Sequence, residues 1–283
     1  MENKICLITG ATSGIGKVIA TELAQKGFQI GIVARNYSKA EKTRDQIIKK
    51  TGNKNIRIFI ADFASLDQVR NVAAEINRSY EKIDVLVNNA GVLLSDKREV
   101  SIEGNELTLT TNHLSPFLLA SLIFEKLIKS NEARIINTSS VAHKFARVDF
   151  EDINLNKKYS PFKAYSNSKL YNLMFTIELA KRLHKYPNIT TNAYHPGIVA
   201  SNFSKESGGP LSFIYKIATP FISNNNQGAE TGIFLATDPK AAKTNGKYLV
   251  KRKAVSPYKK YLSEGNCLKL WEISEEMTNT KFL

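Results

Sequence analysis

A tyrosine and a lysine stand four residues apart in AYSNSKLYNLMFTIELAKRL, the stretch from Ala164 to Leu183. On a helix, residues four apart lie on the same face, so the Tyr165 phenol and the Lys169 ammonium can meet. A phenol has an unperturbed pKa of about 10 and is a poor base near neutral pH. A nearby ammonium stabilises the phenolate by roughly a few kcal/mol, which lowers that pKa by about two. The pair could therefore exchange a proton, although many helices carry this spacing and do no chemistry.

A glycine-rich turn, TGATSGIG, follows the first apolar run and leads directly into a helical pattern. Its glycines, Gly10, Gly14 and Gly16, are spaced G-x3-G-x-G and not G-x-G-x-x-G. Glycines let the backbone approach a diphosphate, and the free N–H groups of a helix N-terminus attract its charge. A glycine triplet alone is a weak signal, but its position between a strand and a helix predicts a dinucleotide site.

The residue at the end of the second apolar run bears on which dinucleotide binds. A carboxylate there would hydrogen-bond the 2′-hydroxyl of NAD, but the sequence GIVARN offers Arg35. A guanidinium pairs with the 2′-phosphate of NADP, so we expect NADP(H) in preference to NAD(H). The alternative is an ordinary surface arginine. Asp62, which ends the third run, is placed to meet the adenine edge or to cap the next helix, as Ser65 could.

Seven short apolar runs predict strands, with amphipathic stretches between them. The strands are expected near residues 4–9, 28–34, 56–61, 83–87, 133–138, 189–194 and 246–250, and the helices near 15–26, 39–50, 66–78, 106–129 and 164–183. Several strands are nearly continuous Val, Ile and Leu, as in a parallel sheet covered on both faces. The alternation predicts one α/β domain over residues 1–283, a doubly wound parallel sheet of about seven strands flanked by helices.

The segment 201–226 interrupts this alternation, because glycines and prolines flank an apolar stretch that has no strand partner. We expect either a substrate lid able to close over a ligand or a helical insertion packed permanently on the body. Its apolar side chains would then line a lipophilic pocket or belong to the core. They are Phe203, Phe213, Ile214, Tyr215, Ile217 and Phe221.

Composition narrows the function classes. The chain has 283 residues, 42% of them hydrophobic, and only two cysteines, Cys6 and Cys267, too few for a disulfide framework. Its four histidines show no metal-ligand spacing, so we expect no metal site.

The net charge is +14, and seven basic residues lie between Lys243 and Lys260. This surface is either simply solvated or attracts anions, but no basic motif interleaved with aromatics is present, so we expect no nucleic-acid partner.

No stretch of the sequence predicts a membrane span. Residues 107–124 contain no charged side chain, but polar residues and a proline dilute the run, which favours a buried helix. The first residues do not have the pattern of a signal peptide, and we expect a cytoplasmic protein without a membrane anchor. Peripheral contact with a membrane and homo-oligomer formation are left open.

Six motifs together resemble the short-chain dehydrogenases/reductases in order and spacing. They are TGATSGIG at 9–16, NNAG at 88–91, Asn112, NTSS ending at Ser140, Tyr165-x3-Lys169 and HPG at 195–197. The stretches RIINTSSVAHKFARVDFEDINLNKKY, HPGIVAS and LWEISEEMT resemble the retinol dehydrogenase branch of that family. The resemblance covers essentially the whole chain.

This resemblance implies a Rossmann-type fold that uses NADP(H) to interconvert a carbonyl and an alcohol. By motif position, Tyr165 is the general acid or base, Lys169 its electrostatic partner, Ser140 the holder of the substrate oxygen and Asn112 a support for the proton relay. The cofactor contacts implied are Gly10, Thr12, Ser13, Gly14, Ile15, Gly16, Arg35, Asp62, Phe63, Asn89, Ala90, Gly91, Tyr165, Lys169, Pro196, Gly197 and Val199.

Two assignments keep an alternative. Ser139 could hold the substrate oxygen in place of Ser140, because successive strand residues point to opposite faces. Asn112 could simply satisfy backbone groups in a buried helix kinked by Pro116. For the whole chain we expect an NADP(H)-dependent oxidoreductase acting on a lipophilic aldehyde, ketone, alcohol or retinoid-like compound. The alternative is a non-catalytic NADP(H) sensor that acts through a protein partner.

Overall fold

One eight-stranded sheet runs through the part of the chain that the computed structural model describes, residues 4–93, 97–197 and 224–283. The strand order is β3-β2-β1-β4-β5-β6-β7-β8, with every neighbouring pair parallel except β7 and β8. The strands are β1 (Ile5–Thr9), β2 (Gln29–Ala34), β3 (Ile56–Ile60), β4 (Val85–Asn88), β5 (Ala133–Thr138), β6 (Ile189–His195), β7 (Tyr248–Val250) and β8 (Lys253–Val255). The predicted α/β fold with a doubly wound sheet is confirmed.

Helices cover both faces of the sheet. They are α1 (Gly14–Gln25), α2 (Tyr37–Thr51), α3 (Leu66–Ser79), α4 (Leu107–Leu109), α5 (Ser115–Leu122), α6 (Phe124–Ile128), α7 (Pro161–Arg182), α8 (Asn225–Thr237), α9 (Pro239–Ala242) and α10 (Glu264–Met277). One core cluster packs α1, α2 and α8 on the sheet, and the other packs α3, α5, α7 and α10 on the opposite face. Every residue of β1 and β5 is buried, as expected for central strands covered by helices on both faces.

The helix predicted over residues 106–129 is divided into segments. A π turn, Thr110–Leu114, separates α4 from α5, and Ile123 separates α5 from α6. Pro116 lacks the N–H that an α-helix would give to the Asn112 carbonyl, so the regular ladder cannot pass through this point. The predicted proline kink is therefore a change of hydrogen-bond register around Asn112.

The eighth strand, β8, was absent from the expectation of about seven. Its three residues are exposed, and they pair antiparallel with β7 through a turn in which both Lys251 and Arg252 have positive φ. A short, charged and exposed strand carries no apolar run, so periodicity could not indicate it. Among the described helices, none combines the length and the hydropathy needed to cross a membrane.

Candidate active site

A cavity of about 670 Å³ opens at the carboxyl ends of the strands, beside the point where the order reverses between β1 and β4. Open α/β sheets bind their ligands in this crevice. The predicted site residues that line it are Gly10, Thr12, Ser13, Gly14, Ile15, Gly16, Arg35, Asp62, Phe63, Asn89, Ala90, Gly91, Ser140, Tyr165, Lys169, Pro196 and Gly197. Asn112 lies behind this wall, and Val199 and most of the expected lid segment 201–226 lie outside the described residues.

The glycine turn after β1 is shaped by two residues in the left-handed region. Gly10 has φ +67° and Gly14 has φ +55°, which other residue types rarely adopt. The Asn89 amide donates hydrogen bonds to the carbonyl oxygens of Thr9 and Gly10, at 2.9 and 3.2 Å. A Cβ on Gly16 would come within 2.6 Å of the Gly10 oxygen. The turn is therefore held against β4 and leaves no room for larger side chains.

The N-terminus of α1 at this turn fits an anionic diphosphate. Its N-cap residue, Ser13, makes no capping hydrogen bond through its side chain, and the first turn contains no acidic residue. First-turn N–H groups of such a helix attract anions, because the helix dipole adds a partial positive charge. Gly91 lines a second part of the cavity, where a Cβ would lie 3.2 Å from Asn112 Oδ1 and 3.6 Å from Lys169 Nζ and would leave little room. The donor groups and the open space fit a nicotinamide dinucleotide.

Arg35 and Asp62 line this crevice just after the ends of β2 and β3. Arg35 is exposed, and no carboxylate among the described residues forms an ion pair with it. Asp62 accepts a hydrogen bond from the Ala64 N–H at 3.0 Å, whereas α3 is capped by Ser65. The capping alternative for Asp62 is therefore taken by Ser65, and Asp62 lines the cavity.

Tyr165 and Lys169 share one face of α7, which begins at Pro161 after the N-cap Ser160. Lys169 Nζ lies 5.4 Å from the centre of the Tyr165 ring and donates to the Thr138 carbonyl at 3.3 Å. Only 4% of Lys169 is exposed, and this burial lowers its pKa from 10.5 to about 8. An ammonium buried beside a phenol stabilises the phenolate, which is the proton chemistry expected of the pair.

The two serines after β5 have different surroundings. The Ser139 hydroxyl donates to the Lys169 carbonyl at 2.8 Å, and the residue is 1% exposed. Ser140 is half-buried, lines the cavity, and its Oγ accepts the Ala142 N–H at 3.2 Å. Because an acceptor bond leaves the hydroxyl hydrogen unused, Ser140 has a donor for a ligand oxygen. The geometry favours Ser140 over Ser139 as the holder of the substrate oxygen.

Asn112 is fully buried in the π turn, and its amide is completely engaged. Its Oδ1 accepts the Val92 N–H at 2.7 Å, and its Nδ2 donates to the Val92 carbonyl and to Ser168 Oγ, both at 3.0 Å. The amide therefore ties the segment after β4 to α7, next to Tyr165. This contact pattern matches the backbone-satisfying alternative, so any part in a proton relay would be indirect or use the main chain.

Several cavity-lining residues were absent from the sequence assignments. Among them are Val92, Leu93, Glu99, Leu107, Thr111, Thr138, Val141, Phe162 and His195. Phe162 could have been found, since it stands three residues before Tyr165 on the same helix face. His195 was treated only as part of HPG; it is 8% exposed, and burial lowers its pKa to about 4. No cluster of potential metal ligands occurs among the described residues.

Comparison with known proteins agrees with this geometry. Residues 4–210 match the family model described as short chain dehydrogenase. The chain is 34% identical to retinol dehydrogenase 12 of Homo sapiens over 284 residues, which cover 100% of this chain and 88% of that protein. It is 33% identical to retinol dehydrogenase 14 of Homo sapiens over 293 residues, covering 98% and 87% of the two chains.

Solved structures have the same fold. An uncharacterized protein from Mycobacterium paratuberculosis superposes with a TM-score of 0.80 at 28% identity, over 99% of this chain and 95% of that one. A 3-ketoacyl-(acyl-carrier-protein) reductase from Brucella melitensis, complexed with NADH, superposes with a TM-score of 0.69 at 22% identity, over 88% and 96% of the two chains. Together with the glycine turn and the Ser140, Tyr165 and Lys169 constellation, these matches establish that the chain is an oxidoreductase of the short-chain dehydrogenase/reductase family, similar to the retinol dehydrogenases.

Proposed function

We propose that the protein interconverts a lipophilic carbonyl compound and its alcohol with NADP(H) as the redox partner. The observation that carries this proposal is the convergence of Ser140, Tyr165 and Lys169 on one cavity whose other end is the glycine turn. A hydride acceptor of this kind develops negative charge on oxygen as it is reduced, and the three side chains supply a donor, an acid and a cation there.

The choice of NADP(H) is supported by Arg35. Gly10, Gly14, Gly16 and the N-terminus of α1 would hold the diphosphate, and Arg35 would pair with the 2′-phosphate. The cofactor, when bound, supplies or accepts the hydride. Arg35 stands where an NAD-preferring site carries an acid, and it has no carboxylate partner among the described residues that would compete for its charge.

Side chains of the protein carry out the proton transfer. In reduction, Tyr165 donates its phenolic proton to the substrate oxygen, while the hydroxyl of Ser140 hydrogen-bonds the same oxygen. The Lys169 ammonium stabilises the phenolate that remains, which makes the transfer reversible. Asn112 fixes Val92 against Ser168, whose hydroxyl donates to the Tyr165 carbonyl at 2.8 Å, so α7 keeps its place.

The apolar side of the cavity supports a lipophilic substrate. Leu93, Leu107, Val141 and Phe162 line it, and the Phe162 ring lies 5.7 Å from that of Phe145. Phe145 is 57% exposed, so the apolar wall continues from the cavity to the surface. A long aldehyde, ketone or alcohol, with a retinoid-like compound as one example, suits such a surface, and the relatives named retinol dehydrogenases support this class.

The decisive experiment follows NADPH absorbance with a panel of aliphatic, aromatic and polyene aldehydes and ketones, each repeated with NADH. We expect turnover of the lipophilic members with NADPH. Tyr165→Phe should lower kcat by about 10² to 10⁴ while NADPH binding is kept, because only the acid is removed. Tyr37→Phe, which removes an exposed hydroxyl 3.3 Å from Glu41, is the matched control. Wild-type protein that binds NADPH and reduces no carbonyl would contradict the proposal.

A further inference from the structure

The catalytic serine stands at a corner that is anchored on one side by the sheet and α7. Ser139, next to it, donates its N–H to the Tyr194 carbonyl at 2.8 Å and its hydroxyl to the Lys169 carbonyl. Ser140 itself is extended, with φ −159° and ψ 158°, and caps a short 3₁₀ turn, Val141–Phe145. The direction of its hydroxyl therefore depends on how firmly that turn is held.

His143, inside the 3₁₀ turn, holds Ser140 from the other side. Its Nδ1 lies 2.7 Å from the Ser140 carbonyl oxygen, and its main-chain N–H donates to the same oxygen at 3.1 Å. The opposite ring nitrogen, Nε2, lies 3.2 Å from the main-chain nitrogen of Tyr258. An amide N–H can only donate, so Nε2 accepts and the ring hydrogen sits on Nδ1, where it donates to Ser140.

The surroundings keep this imidazole neutral. His143 is 1% exposed, and burial lowers its pKa below the ordinary 6.5 although the bond to the Ser140 carbonyl opposes this shift; the adjacent Lys144 also lowers it. The ring edge of Tyr248, on β7, packs on it with centres 5.1 Å apart, and His195 approaches from β6. Only the neutral form satisfies both contacts, since a protonated ring would turn a second donor toward the Tyr258 N–H.

Tyr258 belongs to a surface segment and not to the cavity wall. Residues 251–260 carry five basic side chains and no acidic one, and all but Pro257 are exposed. The His143 bond therefore connects the catalytic turn to a chain segment 115 residues away, which is also held by the short β7–β8 pair and by the Arg252 N–H bond to Thr231 Oγ1. A serine whose carbonyl and turn are fixed in this way is preorganised for its donor role.

We propose that His143 is a positioning residue, which fixes Ser140 by bridging its carbonyl to the main chain of Tyr258. The inference rests on the proposed function, since it gives His143 a role only through the catalytic role of Ser140. It adds a residue that touches neither substrate nor cofactor, and it makes the segment after β8 part of the support of the active site.

The first test is a double-mutant cycle with kcat measured at saturating NADPH and substrate. His143→Phe keeps a ring against Tyr248 but removes both nitrogens, and we expect kcat to fall about tenfold with the KM for NADPH changed less than about twofold. His143→Gln, which has one donor and one acceptor, should recover most of this loss. In a Ser140→Ala background, His143→Phe should have no further effect. His184→Phe, at an exposed histidine, is the control.

The second test removes the donor at the far end of the bridge, and Tyr258→Ala, which keeps the N–H but not the ring, measures the effect of losing the side chain alone. Tyr258→Pro deletes the N–H that His143 accepts, and we expect kcat to fall severalfold with unchanged NADPH affinity. Ser256→Pro places a proline in the same exposed run at an N–H without a hydrogen bond among the described residues, and it should retain wild-type kcat. The two proline variants show whether the hydrogen bond between His143 and Tyr258 supports kcat, even where His143→Phe does not fold.

The outcomes separate this inference from the proposed function. Multiplicative effects of Ser140→Ala and His143→Phe would show that His143 supports the fold and does not act through Ser140. An impaired Ser140→Ala beside fully active His143→Phe and Tyr258→Pro overturns the inference alone. A fully active Ser140→Ala overturns the role of Ser140 in the proposed function, and the positioning role of His143 with it.

Discussion

Lys169 Nζ lies 5.4 Å from the centre of the Tyr165 ring and 3.3 Å from the Thr138 carbonyl oxygen, almost wholly out of contact with solvent. Burying an ammonium costs free energy, and here the cost appears as a pKa lowered to about 8. The protein thus keeps a destabilised cation beside the phenol that needs it. Stability and catalysis should therefore respond in opposite directions when this cation is removed.

Lys169→Met tests this trade-off through the pH dependence of stability. The folded-state pKa of Lys169 lies below 10.5, so the unfolded chain binds more protons between about pH 8 and 10.5, and stability rises with pH across that window. We expect the variant to be more stable than the wild type at pH 7 and this advantage to shrink by about 2 kcal/mol by pH 10. Urea unfolding without cofactor at both pH values measures it, and kcat should fall sharply.

The matched control for that measurement is Lys54→Met, because Lys54 is exposed and its substitution should leave the pH dependence of unfolding unchanged. Both lysine variants are also compared in a Tyr165→Phe background, because Lys169 acts on the Tyr165 phenol and that tyrosine does not cancel in the differences. Parallel stability curves for wild type and Lys169→Met would show that the lysine is not a buried cation in the folded protein.

Ser139 and Ser140 offer a second comparison, because they are adjacent and chemically identical. Ser140→Ala removes the donor in the cavity and the cap on the Ala142 N–H, and we expect kcat to fall about 10² to 10³ with a loss of about 1 kcal/mol in the free energy of unfolding. Ser139→Ala removes the bond to the Lys169 carbonyl, and we expect a loss of about 1 kcal/mol in the free energy of unfolding with a smaller effect on kcat. The reverse pattern would reassign the substrate oxygen to Ser139.

Arg35→Asp should change the cofactor preference. Replacing the guanidinium by a carboxylate removes a charge-assisted contact and adds repulsion toward the 2′-phosphate, so we expect the KM for NADPH to rise about 10- to 100-fold and that for NADH to fall. Lys54→Asp makes a comparable charge change just before β3, at the amino ends of the strands and away from the carboxyl end where Arg35 lies, and should leave both values unchanged. An unaltered NADPH to NADH ratio for Arg35→Asp would show that this arginine does not contact the phosphate.

Most of the fold and site features that the sequence predicted depend on residues close together in the chain. Tyr165 and Lys169 share a helix face because of the helical repeat, and Gly10, Gly14 and Gly16 lie in a turn because of the strand before and the helix after them. These features depend on neighbours within a few residues. Seven of the eight strands were found for the same reason, since each contains apolar side chains that form a local pattern.

Long-range contacts account for what was missed. Pro116 predicted a break in the helix. The π register around Asn112 also depends on the hydrogen bonds of its side chain to Val92 and Ser168, which lie 20 and 56 residues away. The His143 bridge to Tyr258 spans 115 residues and leaves no periodic signal. Such contacts are fixed only when the sheet brings distant segments together, so no window of the sequence contains them.

Gly16→Ala tests whether the close packing of the glycine turn is needed for cofactor binding. The added Cβ would contact the Asn89 amide and lie 2.6 Å from the Gly10 oxygen, both of which hold the turn in place. We expect the turn to shift, with NADPH affinity lowered at least about tenfold and stability lowered by about 1 to 3 kcal/mol. Gly265→Ala in α10, where a Cβ meets nothing within 4 Å, should leave affinity unchanged and stability equal or higher. Fluorescence titration with NADPH and thermal unfolding measure both, and wild-type affinity in Gly16→Ala would mean that the turn does not cradle the cofactor.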